Sequence, residues 1–137
     1  MQNIRKLISS RKPGVSEDCI LRTEEKLGAK FPIRYRELVK LINNAEVDNW
    51  IFYPIKDENR IEKTFDDIVR ANTDINNESS NNYIAFAEDG TGDQLCFKIK
   101  DEKMLEYIYF WDHENSSVEI IAKNLEEFII NLLKGDF

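Results

Sequence analysis

The feature that most constrains this chain is a change of hydrophobic period along its length. Near the C-terminus Leu125, Phe128, Ile129, Leu132 and Leu133 recur at i, i+3, i+4, i+7 and i+8, the spacing that puts apolar side chains on one face of a helix. In the first third Tyr35, Leu38, Val39 and Ile42 repeat the same pattern. Between them Leu95, Phe97 and Ile99 alternate with Cys96, Lys98 and Lys100, the period of two expected of a half-buried strand. Helical patterns at both ends of a strand-rich middle predict an α+β fold. The expected form is a mainly antiparallel sheet with helices packed on one side, an N-terminal helical pair and a C-terminal helix.

Local signals set the expected boundaries. Residues 1–8 read as a short helix or an ordered arm, and Lys12-Pro13-Gly14 as a turn. Ser16 is an N-cap candidate, with Glu17 and Asp18 in the first turn, where the helix dipole favours acids. Gly28 supplies a left-handed stop, Pro32 can open the next helix, and Asn43-Asn44 ends it. Residues 50–55 are aromatic and β-branched, and Pro54 weakens the end of that strand. Thr64 is expected to cap a short helix holding Phe65, Ile68 and Val69, and residues 72–82 are expected to be a surface loop. Strands are predicted over 83–87, 106–111 and 118–121, with turns at 88–93, 101–103 and 112–117. Asn124 and Glu127 form an Asn variant of the capping box before the last helix, which Gly135 ends.

The chain has 137 residues, 42% hydrophobic and 33% charged. That suits a single domain over residues 1–137 with a core that needs no metal or disulfide staple. The formal net charge is -7, which argues against a nucleic-acid partner. The charge is uneven. Residues 1–36 hold nine Lys or Arg and four Asp or Glu, while residues 37–137 hold ten and twenty-two. An acidic remainder of this kind steers a basic partner or simply stays solvated. Cys19 and Cys96 have no metal-ligand spacing and are expected to be small buried hydrophobes in a reducing compartment. No signal peptide and no run of 18 apolar residues is visible, so a cytoplasmic, non-membrane protein is expected.

Catalytic chemistry finds little support in the residues. His113 is the one histidine, so any nucleophile-base pair or zinc site would have to use it. The stretch Asp89-Gly90-Thr91-Gly92-Asp93 is not a Walker loop, a dinucleotide fingerprint or an EF-hand. It reads as a β-turn, with a weak cation site as the lesser alternative. Asp57-Glu58 and Asp66-Asp67 read as solvated acids. The aromatics Trp50, Phe52, Tyr53, Tyr107, Tyr109, Phe110 and Trp111 are divided by strand alternation, about half of them inward. Trp50, near Glu46 and Asp48, is the exception expected to be exposed, since Trp is enriched at interface hot spots.

Taken in order, five stretches resemble the SUKH superfamily, in the branch that includes fungal cell-wall assembly regulators. They are Glu24-Glu25-Lys26-Leu27-Gly28-Ala29-Lys30-Phe31-Pro32-Ile33-Arg34-Tyr35, residues 38–44, Ile84-Ala85-Phe86-Ala87 with the following Asp89-Gly90-Thr91-Gly92-Asp93, Phe110-Trp111-Asp112-His113, and Leu125-Glu126-Glu127-Phe128. Ala45-Glu46 stand where the family commonly has Gly. The resemblance implies an α+β fold, no enzymatic activity and no cofactor. For a bacterial member it implies an immunity protein that binds and neutralises a cognate protein toxin, often a nuclease and so expected to carry a basic surface. The alternative is a regulatory protein-interaction module of a pathway such as cell-wall assembly. By analogy with the family the partner-binding candidates are Glu46, Asp48, Trp50, Asp57, Glu58, Glu88, Asp89 and Asp93. An exposed aromatic strand edge is also compatible with homo-oligomers. Gly90, Gly92, Leu27, Gly28, Pro32 and Trp111 fit the family pattern as fold determinants.

Overall fold

The computed structural model describes residues 1–75 and 82–135. Its helices are α1 (Gln2–Leu7), α2 (Glu17–Leu27), α3 (Ile33–Leu41), α4 (Ile61–Thr64), α5 (Ile68–Ile75) and α6 (Leu125–Lys134). Its strands are β1 (Glu46–Val47), β2 (Trp50–Phe52), β3 (Tyr83–Glu88), β4 (Gln94–Lys100), β5 (Lys103–Met104), β6 (Ile108–Asp112) and β7 (Ser117–Ala122). The strands form one antiparallel sheet in the order β1-β2-β3-β4-β6-β7, with β5 pairing the far end of β4. The α+β expectation holds. Among the described residues, no helix is long and apolar enough to cross a membrane.

The helix ends follow their sequence signals. The Ser16 hydroxyl accepts from the Cys19 amide, and Gly28 takes the left-handed conformation at φ 78°. Asn124 accepts from the Glu127 amide, and the Glu127 carboxylate reaches back to the Lys123 amide at 2.6 Å, one residue before the cap. The motif around Gly28 has a physical basis in Glu24. This buried carboxylate accepts from the Phe31 amide at 2.7 Å and from Arg36 Nε at 3.1 Å. It thereby fixes the α2–α3 connection on both sides of Pro32. Glu17 extends the pairing to Arg36 and to Lys40, 2.5 Å away, and these two cations, Lys40 first, hold its carboxyl below the usual range.

One large apolar cluster joins the helices to one face of the sheet. Tyr35, Leu38, Val39 and Ile42 are all buried in it, as the α3 stripe predicts. Phe86 stacks on Phe97 with centroids 4.2 Å apart, and Tyr35 meets the Phe97 ring edge-on at 5.4 Å. A second cluster, Ala85, Cys96 and Tyr109 with Tyr53, Tyr83 and Trp111 against it, lies on the other face and contains no helical side chain among the described residues. Among the described residues the helices therefore cover one face and leave the other to the strands, except at the β2 end, where the α4–α5 segment shares a cleft with Ile51 and Glu88.

Five expectations need correction. Thr64 does not cap a helix. It closes α4, donating to the Arg60 carbonyl and accepting from the Asp57 amide, both at 3.0 Å. Phe65 follows it with 56% of its surface exposed. Asp67 is buried and caps α5 through the Arg70 amide at 3.2 Å, so the pair Asp66-Asp67 is not wholly solvated. Residues 72–75 are helix rather than surface loop, and Asn72 is buried; residues 76–81 of the expected loop lie outside the described residues. In the last stripe Leu133 is 44% exposed, while its neighbour Leu132 still packs against the core. Cys96 is buried, and burial pushes its thiol up to about 12. Cys19 is only half-buried and accepts from the Ser16 hydroxyl at 3.3 Å.

Candidate partner-binding face

Strand alternation builds the uncovered face residue by residue. Cross-strand partners point to the same side of a sheet, and here one row of partners runs through six strands. Glu46 faces Ile51, Ile51 faces Glu88, Glu88 faces Gln94, Gln94 faces Trp111, and Trp111 faces Val118. Ile51 is 43% exposed, Val118 37%, and Trp111 half-buried. The adjoining row is Ala85, Cys96, Tyr109 and Ile120, with Ile120 54% exposed. A bulge at Ala85/Ala87 sets this phase. It lets Phe86 and Ala87 both join the core while Ala85 and Glu88 both face outward.

The carboxylates lie at one end of this face. Glu46 and Glu88 flank Ile51 in the row. The Tyr53 hydroxyl donates to Glu88 at 3.4 Å, and burial, with the Glu88 charge beside it, raises the Tyr53 pKa above its ordinary value. Asp89 and Asp93 follow in the β3–β4 turn. Asp89 accepts from both the amide and the hydroxyl of Thr91, at 3.0 and 2.6 Å. Asp93 accepts from the His113 amide at 3.1 Å and contacts its ring Nδ1 at 2.7 Å, tying the β3–β4 turn to the β6–β7 turn. The pairing raises the His113 pKa and lowers that of Asp93.

Other expected site residues separate from this group. Trp50 is not an exposed anchor. It sits on the core face, 8% exposed, with its ring edge-on to Phe110 at 6.1 Å. Its neighbour Ile51 holds the outward position instead, because a period of two admits only one of them. Asp48 is exposed in the β1–β2 turn at φ 54°. Asp57 caps a short 3-10 turn, Glu58–Arg60, through the Asn59 amide. Glu58 pairs with Arg22 of α2 at 2.8 Å, which places these two acids beside the helical layer.

A cleft of about 450 Å³ adjoins Glu88, between β2 and the α4–α5 segment. Ile51, Tyr53, Phe65, Glu62 and Arg70 line it, and the Arg70 guanidinium lies over the Phe65 ring at 4.7 Å. Sequence reasoning missed Phe65 and Arg70, having placed Phe65 in a short helix capped by Thr64 without assigning it to a site. Asp93, Asp112 and His113 bring ligand atoms within 4.8 Å of one another, enough to approach a cation. Their acceptors already serve the turns: Asp93 takes both His113 contacts, and Asp112 Oδ1 accepts from the Glu114 amide at 2.9 Å.

No curated protein matches the chain. The profile of one family, SUKH_6, described as SMI1-KNR4 cell-wall, matches residues 17–129, from the start of α2 into α6. That span contains the Glu24-anchored connection, the uncovered sheet face and both turns joined by Asp93 and His113. The chain belongs to the SUKH family.

Proposed function

We propose that this chain is a non-catalytic immunity protein of the cytoplasm that binds a cognate protein toxin, and that the uncovered sheet face is where it binds. The row from Glu46 to Val118 carries this reading. It offers exposed apolar anchors at Ile51 and Val118, a half-buried Trp111, and carboxylates at one end, the combination of apolar centre and charged rim found at protein interfaces. Glu46, Glu88, Asp89 and Asp93 would meet a basic surface, as expected of a nuclease whose groove accepts phosphates. A regulatory interaction module is the second reading, favoured by the cell-wall description of the matching family.

Co-expression with a candidate toxin domain taken from the neighbouring genes tests the proposal, with survival and pull-down as readouts. Rescue with a stable complex is expected, and Glu46→Lys with Glu88→Lys should weaken that complex about tenfold or more. Asp57→Lys with Glu58→Lys should leave it unchanged. Persisting toxicity without a complex would overturn the immunity reading in favour of the regulatory one.

A further inference from the structure

The opposite charge is gathered elsewhere on the molecule. Lys100 of β4 pairs across the sheet with Lys103 of β5, and Lys103 forms an isolated parallel bridge with Lys30 in the α2–α3 connection. The backbone enforces this arrangement, since the Lys30 amide donates to the Glu102 carbonyl at 3.0 Å and the Met104 amide to the Lys30 carbonyl at 2.8 Å. Like charges set directly opposite one another in a sheet are destabilising. All three lysines are exposed, and none has an ion-pair partner among the described residues. This holds in a chain of net charge -7, where carboxylates are abundant.

Lys30 and Lys103 stand at a cleft of about 470 Å³. Buried Phe31, Pro32 and Met104 line it, together with the exposed apolar side chains of Leu21 (48%) and Ile33 (68%). The other charged groups inside it are ion-paired: Glu24 holds Arg36, and Glu106 accepts from the Ile33 amide at 3.2 Å through Oε2 and lies 3.5 Å from Arg34, although its buried Oε1 has no hydrogen-bond partner among the described residues. Among the charged groups lining the cleft, Lys30 and Lys103 are thus the ones without an ion pair among the described residues, set beside exposed apolar surface, with Asp101 and Glu102 in the turn that precedes Lys103.

We infer that this cleft is a second docking site, distinct from the acidic face, and that it takes an acidic peptide segment carrying apolar side chains. Carboxylates of such a segment would meet Lys30 and Lys103, and its apolar side chains would cover Leu21 and Ile33. A short segment seated here lies within about 8–10 Å of these lysines, while the acids of the opposite sheet face are screened by physiological salt. An anionic bilayer or a nucleic acid would have to face the whole molecule, whose net charge of -7 repels it.

The test needs only the purified full chain, labelled with nitrogen-15. It is titrated with a twelve-residue peptide of alternating Glu and Leu, with the matching Lys-Leu peptide, and with phosphatidylserine vesicles. The Glu-Leu peptide should shift the amides of Leu21, Lys30, Ile33 and Met104 in a saturable way, with a dissociation constant of about 1 mM or tighter. The triple change Lys30→Glu, Lys100→Glu and Lys103→Glu should weaken binding roughly tenfold, three exposed ion pairs being lost together. These side chains are exposed, so the variant should keep its thermal midpoint within a few degrees, and Leu21→Ser with Ile33→Ser gives an independent probe of the apolar half. Equal shifts by the Lys-Leu peptide, binding indifferent to both variants, or binding to the vesicles but not the peptide would each overturn the proposal.

Discussion

The side chain of Asn72 pairs with the backbone of Ala85 as a neighbouring strand would. Its amide donates to the Ala85 carbonyl and its oxygen accepts from the Ala85 amide, both at 2.8 Å. Strand β2 is too short to reach this part of β3, pairing it only at Ala87 and Glu88. Asn43 does the same for Ile55, again with two bonds of 2.8 Å. Replacing Asn72 with Ala leaves two buried backbone groups unpaired and should cost about 2–4 kcal/mol. Urea unfolding of the two proteins measures this, and a loss under about 1 kcal/mol would show that the pairing is dispensable.

Because His113 is the one histidine, its titration can be followed by proton NMR without assignment. Its pKa should lie above 6.5, chiefly because of the Asp93 hydrogen bond, and Asp93→Asn should return it towards that value. The sign for stability follows from linkage. The His113 contribution is complete below pH 6.5 and fades as pH rises through the higher folded value. The Asp93 contribution is present above pH 3.8 and fades as pH falls through its lowered folded value. Asp93→Asn should therefore flatten both limbs of the stability curve.

Gly92 lies against the His113 ring. Its φ is +108°, and a Cβ there would stand 2.9 Å from His113 Cγ. Gly92→Ala should destabilise by about 1–3 kcal/mol through backbone strain. It should also move the His113 ring and lower its pKa relative to the parent. Gly90 is a useful control for space, since nothing lies within 4 Å of a Cβ built on it.

The Tyr35 hydroxyl is buried without a hydrogen-bond partner among the described residues, and burial raises its pKa. Its ring is central to the aromatic cluster. Tyr35→Phe keeps the ring and removes the unpaired group, so stability should be unchanged or rise by about 1 kcal/mol. Thermal and urea unfolding distinguish this from the loss expected if the hydroxyl were satisfied.

Much of this architecture is readable from short-range signals. Ser16, Gly28, Asn124 and Gly135 mark helix ends because capping is a matter of a few adjacent residues. The strands containing Phe86, Phe97 and Tyr109 announce themselves by composition and alternation. Asn72 misled because Asn favours loops, and its place in α5 depends on Ala85, thirteen residues away. Trp50 misled because proximity to Glu46 and Asp48 says nothing about which face of a strand it occupies. The row on the uncovered face was not legible, since it depends on register between six strands and on the bulge at Ala85/Ala87. Phe65 and Arg70 were missed for a related reason, the break between α4 and α5 having no clear local marker.

The row also interleaves two sets of positions along the chain. Trp50, Phe52, Leu95 and Phe110 belong to the interior, while Ile51, Gln94 and Trp111 alternate with them on the outside. Each strand thus spells two messages in alternating letters, one read by the large core and one by the opposite face. Substitutions at the exposed outward positions of the row, Ile51 and Val118, can redraw the outer surface of this chain without touching a residue of the large core cluster.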